Sequence, residues 1–566
     1  MAHSQKVGLD VRRDGPSRRR WAAAGIFLVA LSVYIVSSPG RIDMVDGQIR
    51  YDVAQNLLKC HHPYLTDPAL FRSTVLGWDG CFYSHYGAAA SVLALPLVWI
   101  GKHTRNPLDE TSRFLFSLNS CLWGALAAVV LYLFYLELSV PPRAALAWTM
   151  VSSFATLLWP LSTSTFDNAQ HAFFALAAVF LAFLSARQSS IHLALVAGAV
   201  AGILIVYQMY FIILMPALAL AVLAGPAHQE RETDLNQTSR IGTPPSVGGR
   251  DRVSALVRRF ETEIRDLLSS DPEAAKRRAR FKYFLEAASL GLTVACAWNI
   301  LRFGGPFKTG QVELMGQSGY TPFGNPLAGL LTLMVSPGKS IFLYSPPIIL
   351  GLVGIRRLLR SFPYLGWTVI LSSIILLLFL SSISFAGGDW CWGPRYLTPL
   401  VALWALAFPF VPVRKFTRRL IIGVVTLGFV VQLLGLSVDH QRFFLYRCLP
   451  DYFWVHPWSY FRTSALFARP AELISVIRDP VPATAKSFSP SPYGALVTYC
   501  IFGTSPDIRR NARTWMRNFM VFYLARPWPI WMWHIDGCRR PISVATWMSG
   551  CFAMFVLGVA VMYRGL

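Results

Sequence analysis

Charge is scarce in this sequence, and negative charge is scarcest. Asp and Glu supply only 29 of 566 residues, and the four charged types together make up 14%. So small a charged fraction excludes a string of soluble domains, which carry roughly a quarter charged residues. Several enzyme signatures are also missing. No stretch has the spacing of a P-loop, of His-Glu-x-x-His, of Cys-x-x-Cys or of a Gly-x-Ser-x-Gly elbow. The first absence excludes an ATP-driven pump, and the others exclude familiar hydrolase and redox frameworks. The chain lacks an Asp-x-Asp pair as well, which weighs against cytoplasmic nucleotide-sugar chemistry.

Apolar sequence fills the space instead. Hydrophobic residues make up 54% of the chain and aromatics 14%, and the mean hydropathy is +0.45. Apolar runs recur from residue 21 to residue 563, many near the roughly 20 residues that cross a hydrocarbon core. The fold class is therefore all-α: a polytopic transmembrane helical protein. The first run has no small-residue cleavage site and reads as a span rather than a removable signal.

The net charge of +23 does not point to nucleic acid. Basic residues cluster between apolar runs, as expected where cytoplasmic Lys and Arg set orientation. Arg12, Arg13, Arg18, Arg19 and Arg20 place the N-terminus in the cytoplasm, with anionic lipid as partner of the excess charge. The run 86–101, short and containing Pro96, decides the topology. If it spans, Arg187, the segment 226–282 and the clusters at 356–360 and 414–419 all fall outside; if it lies in the interface, all fall inside. The orientation rule selects the interfacial reading.

Spans are then expected at 21–37, 113–138, 144–161, 169–186, 191–206, 208–224, 283–301, 340–354, 364–384, 396–412, 420–438 and 543–563, about twelve in all. This divides the chain into a basic cytoplasmic N-terminus (1–20), a membrane module (21–438), an extracytoplasmic aromatic-rich segment (439–542) and a last span with a cytoplasmic C-terminus (543–566). The module carries an outer loop at 38–112 and a partly disordered cytoplasmic loop at 226–282, marked by mixed charge and by Gly242-Thr243-Pro244-Pro245. Cys60, Cys81, Cys391, Cys448, Cys500 and Cys538 fall outside, where disulfides are permitted; Cys60–Cys81 is the pair to test first, against free thiols as the alternative.

One short stretch organises the rest. After the first span come Asp43 and Asp46, followed by an amphipathic run in which Ile49, Val53, Ala54, Leu57 and Leu58 recur at helical spacing. Such a helix lies along a membrane surface. Other polar residues gather at span ends on the same face: Arg50, Ser84, His85, Asp167, Asn299, Arg302, Lys308, Lys339, Asp389 and Arg395. Ionisable groups near a bilayer are costly, so a polar cavity is expected there.

The segment Asp46-Gly47-Gln48-Ile49-Arg50-Tyr51-Asp52-Val53-Ala54 resembles the Asp-Glu-x-Arg-Tyr-x-x-Ile-Ala segment after the first span of GT-C type membrane glycosyltransferases. These include the protein O-mannosyltransferases and the aminoarabinose transferases. Residues 387–399, Gly-Gly-Asp-Trp-Cys-Trp-Gly-Pro-Arg-Tyr-Leu-Thr-Pro, are similar to the Trp-Gly-Pro-Arg-Tyr-x-x-Pro pattern of bacterial members, and residues 334–347 are similar too. The resemblance covers about residues 20–440. In this chain the acidic pair is Asp-Gly, with one extra residue before Arg50-Tyr51, so Asp43 stands beside Asp46 as a candidate.

The resemblance implies transfer of a hexosyl or pentosyl group from a polyprenyl-phosphate donor to an acceptor hydroxyl on a glycan, lipid or protein at the extracytoplasmic face of the plasma or inner membrane. A lipid phosphate is already a good leaving group, so one carboxylate suffices as general base. The base is assigned to Asp46, phosphate contacts to Arg395, with Lys339 and His85 as further candidates, and acceptor or metal positioning to Asp167. Arg50 and Asp389 complete the binding set. No cofactor is assigned, and the need for a divalent metal stays open. Structural alternatives stand beside these roles: Asp46 and Asp167 as helix caps, and Arg395 as a side chain reaching lipid headgroups. The rival function is a secondary transporter or flippase for lipid-linked sugars, which predicts mid-span charges and paired broken helices.

Overall fold

The computed structural model describes residues 16–65, 74–103, 110–223, 265, 269–319, 321–388, 391–439, 464–478 and 544–566. Most of the expected loop 226–282, most of the aromatic segment 439–542, Asp389, and Cys448, Cys500 and Cys538 lie outside the described residues. Among those described, strands are confined to three two-residue pieces in the order 64–65, 82–83, 75–76, all antiparallel. Everything else regular is helix.

The chain enters through α1 (Pro16–Ser37), turns, and runs into the amphipathic α2 (Val45–Lys59). After the small sheet come two short apolar helices, Ala88–Val92 and Leu95–Lys102. Neither is long enough to cross a bilayer, in keeping with the short run at 86–101. Next are α3 (Asn119–Glu137), α4 (Pro142–Phe154), α5 (Asn168–Arg187) and α6 (Ile191–Tyr207). They are followed by the long α7 (Pro272–Phe303), then α8 (Pro363–Ser382), α9 (Lys415–Ser437) and α10 (Val544–Gly565).

Seven helices among the described residues have the length and apolar character to span a membrane: α1, the helical stretch Thr111–Glu137 that ends in α3, α5, α7, α8, α9 and α10. The expected count of about twelve is not reached by such helices: α6 is unbroken but only 17 residues long, and four other runs are interrupted by local chemistry. The apolar run at 144–161 breaks after Phe154, with a separate turn at Leu158–Ser162. The run at 340–354 is cut by Pro346 and Pro347 into Ile341–Tyr344 and Ile348–Ser361. The run at 208–224 starts from an extended Gln208 and proceeds as alternating tight and regular helical turns around Pro216. Around Pro399 and Pro409 the run at 396–412 reduces to the helix Thr398–Ala405 flanked by tight turns. Proline removes a backbone donor and clashes with the preceding turn, so a hydropathic run need not be one helix.

Packing follows from small residues. α6 lies along α7, where a Cβ built on Gly291 would stand 2.2 Å from the carbonyl oxygen of Gly202. Only backbones without side chains can meet so closely, which is how helices associate where no hydrophobic driving force exists between them. α1 packs along α10, α3 and α5 form the centre, and the short helix Thr398–Ala405 seals against α5. The contiguous core is rich in Ala, Leu and Phe on α3, α5, α6 and residues 397–408.

Of the two alternatives for Cys60 and Cys81, the structure has the free thiols, as it does for Cys121, Cys296, Cys391 and Cys551. The small sheet is held instead by its ladder, and the turn at Trp78 by its indole, which donates to the carbonyl of Leu301 at the end of α7 (3.1 Å).

Candidate active site

Three chain segments end at one place. α2 brings Asp46 in its first turn and Arg50 one turn later. The start of α5 brings Asp167 and His171, and the tight turn Arg395–Leu397 brings Arg395 and Tyr396. Between them, α7 and the neighbouring helices enclose a cavity of about 530 Å³. Asp46, Arg50, His85, Tyr86, Asp167, His171 and Arg395 line its polar side. Val206, Met209, Phe379, Leu380, Ile383 and Phe385 line an apolar side.

The polar side is organised by two acid–arginine pairs. Arg395 Nη1 lies 2.9 Å from Asp46 Oδ2, and Arg50 Nη2 lies 3.0 Å from Asp167 Oδ2. Each guanidinium is also stacked on an aromatic ring: Arg395 over Phe166 at 3.8 Å and Arg50 over Tyr86 at 3.9 Å. Such stacking orients a guanidinium and leaves its edge for hydrogen bonding. Burial by itself raises the Asp46 carboxyl; Arg395, then Arg50 and His85, outweigh it and hold the group at about 2. Asp167 is held below its ordinary value in the same way: burial pushes it up, and Arg50 and then His171 bring it down. Both acids are therefore ionised at neutral pH.

Asp167 occupies the N-cap position of α5 but makes no capping hydrogen bond with its side chain. Its carboxylate turns to Arg50 and to His171, whose Nε2 is 3.5 Å away. Capping does not describe Asp46 either, because Met44 holds the N-cap position of α2 and Asp46 sits inside the first turn, where the helix N-terminus favours a negative charge.

Asp43 is placed differently. It is buried, accepts from Ser164 Oγ and Thr165 N, both at 2.8 Å, and from Thr165 Oγ1. It does not line the large cavity; it borders a smaller one of about 50 Å³. Its carboxylate fixes the 162–168 turn and so helps to position Asp167. Lys339 is likewise outside the large cavity, donating from Nζ to the carbonyls of Cys391 (3.0 Å) and Gly393 (3.2 Å). That contact ties down the loop carrying Arg395. Gly393 has φ +71° and sits against Leu157 and Tyr344, so only glycine fits there without strain. Asp389 lies outside the described residues. His85 lines the cavity beside Tyr86, the two ring centroids 3.8 Å apart.

Tyr86, His171 and Tyr396 were not among the residues assigned from sequence. His171 had a readable signal in its i,i+4 spacing from Asp167 on one helix face. A lone histidine in an apolar helix is more often core than site, and Tyr86 had no signal at all. Arg302, in α7, donates to the carbonyl of Tyr86 (2.9 Å) and to Asn299 Oδ1 (3.0 Å), which locks the cavity floor to the 84–86 segment. Among the described residues no three His, Cys, Asp or Glu side chains come together as a metal-ligating group.

No family model matches the chain, and no curated protein matches it. Among solved structures it is similar to the archaeal oligosaccharyltransferase AglB from Archaeoglobus fulgidus, in complex with an inhibitory peptide and a dolichol-phosphate, with 13% identity and a TM-score of 0.40. That match covers 76% of this chain and 58% of the other, so the chain spans little more than half the archaeal protein's length. It is also similar to arabinosyltransferase EmbB from Mycobacterium smegmatis, with 12% identity and a TM-score of 0.37, over 96% of this chain and 41% of that one.

Proposed function

We propose that the protein is a membrane glycosyltransferase that moves a sugar from a polyprenyl-phosphate donor to an acceptor hydroxyl at the extracytoplasmic face. The observation that carries this reading is the single cavity in which a carboxylate, Asp46, and a stacked guanidinium, Arg395, face one space beside an apolar wall. The chemistry suits that pairing. The acceptor oxygen forms a bond to the anomeric carbon as the bond from that carbon to the phosphate oxygen breaks. The electron pair leaves on the lipid phosphate, whose charge Arg395 stabilises through its bidentate fork. The acceptor proton goes to Asp46. The apolar wall of Met209, Phe379, Ile383 and Phe385 takes the first isoprenoid units, and Asp167 and His171, which line the same cavity, meet sugar or acceptor hydroxyls. Cytoplasmic termini and an extracytoplasmic site follow from the placement of Lys and Arg between the apolar runs.

Sugar transfer from a panel of radiolabelled polyprenyl-phosphate sugars, in membranes containing the full chain, tests the proposal. Transfer from at least one donor is expected, and Asp46→Asn is expected to lower it by about 10²–10⁴-fold, the range for loss of a general base. Unchanged turnover in that variant removes Asp46 from the mechanism.

A further inference from the structure

The proposed reaction makes two demands on the same pair. It needs the Arg395 guanidinium on the departing phosphate and the Asp46 carboxylate free to accept a proton. In the structure the two groups hold one another at 2.9 Å. A carboxylate paired with a guanidinium is a poor base, because the cation stabilises the ionised form. Arg395 is not arranged to swing away. Its guanidinium lies on Phe166 and near the ring of Tyr396, and its backbone carbonyl accepts from Asn168 (3.1 Å). The lysine-tethered loop and Gly393 fix the chain just before it. The carboxylate is therefore the partner that must yield.

A second observation points to what displaces it. Arg395 is buried, faces the cavity, and among the described residues its Nε has no hydrogen-bond partner. An unsatisfied charged donor is costly inside a protein, and a phosphate can take Nε and Nη2 in one bidentate contact, neutralising the cation whose Nη1 holds Asp46. The Arg50–Asp167 pair has no such conflict, since the reaction does not require Asp167 to be free.

We propose that the lipid phosphate of the donor displaces Asp46 from Arg395, so that donor binding itself frees the base and the donor binds before the acceptor reacts. This rests on the functional reading above and adds an order and a switch to it. An empty site keeps its base locked; once the phosphate neutralises Arg395, the carboxylate gains proton affinity where the acceptor enters.

Polyprenyl phosphate without sugar is the probe, and its affinity for the detergent-purified full chain is the readout. Asp46→Asn removes the competitor for Arg395 and is expected to tighten binding by about tenfold, equivalent to about 1.4 kcal/mol. Asp167→Asn removes the same charge from the same cavity but leaves Arg395 locked, and is expected to change affinity by less than about threefold. Equal tightening in both variants, or none in Asp46→Asn, overturns the inference. A wild-type measurement stands independently of variant folding: in chain labelled with ¹³C-aspartate, adding polyprenyl phosphate should shift an aspartate carboxylate stretch in the infrared difference spectrum, and an unshifted spectrum overturns the inference. Wild-type chain that transfers sugar while Asp46→Asn binds no tighter removes this inference alone. Wild-type chain that neither binds polyprenyl phosphate nor transfers sugar removes the functional reading with it.

Discussion

At the scale of the residue, the two early acids show what a sequence can and cannot reveal. Asp43 and Asp46 are three apart and both precede an amphipathic helix, so local pattern treats them alike. What separates them is distant: Ser164 and Thr165 occupy Asp43, and Arg395 claims Asp46. Arg50 and Arg395 were legible because each sits in a short motif whose neighbours are also constrained. Lys339 was legible as important but not for its role, since nothing local says that its ammonium is spent on the carbonyls of residues 391 and 393. The Asp46–Arg395 pair also carries a pH signature. The folded-state value of about 2 lies below the ordinary 3.8, so the pair's contribution is present in full above the ordinary value and is lost as pH falls through about 2. The difference in thermal unfolding midpoint between wild type and Asp46→Asn should accordingly be constant from about pH 5 to pH 8 and shrink below about pH 4. A constant difference down to pH 2 would show that the pair is not ionic.

At the scale of the element, hydropathy located the apolar segments and misjudged how many are single helices. Counting apolar residues cannot register that Pro346-Pro347, Pro399 and the extended Gln208 break the ladder. The same breaks are useful. Interrupted helices place turns, and therefore polar groups, beside the cavity, as at Gln208, Met209 and Tyr210, where an unbroken span would present only side chains. The α6–α7 contact makes the opposite point, since both elements are regular and their fit depends on Gly198, Gly202 and Gly291. Gly291→Val places branched carbon against the Gly202 carbonyl. The expected cost is about 1–3 kcal/mol, read as a lower unfolding midpoint in detergent, with Gly198→Val, whose Cβ would stand 2.1 Å from the Phe284 carbonyl oxygen, behaving alike. Unchanged midpoints in both would mean that the helices do not meet there.

At the scale of the whole molecule, the site is assembled from both ends of the described membrane module, and each of its two acids is paired internally. Asp46 and Asp167 face Arg395 and Arg50, so the two acids that line the cavity already have cations of the protein's own. Sugar transfer is therefore expected to be unchanged in excess EDTA, compared with the same membranes in added Mg²⁺ or Mn²⁺. Activity that disappears with the chelator and returns with one metal would show that a cation displaces an arginine during turnover. The pairing has a further consequence for how the molecule is made. Asp167 follows its counter-ion in the chain, so its cation is already present when it emerges from the ribosome. Asp46 is synthesised 349 residues before Arg395, and burying a carboxylate without its cation costs several kcal/mol. Closure of the first loop around Asp46 must therefore wait until most of the module has been translated, which makes the site among the last parts of the molecule to mature.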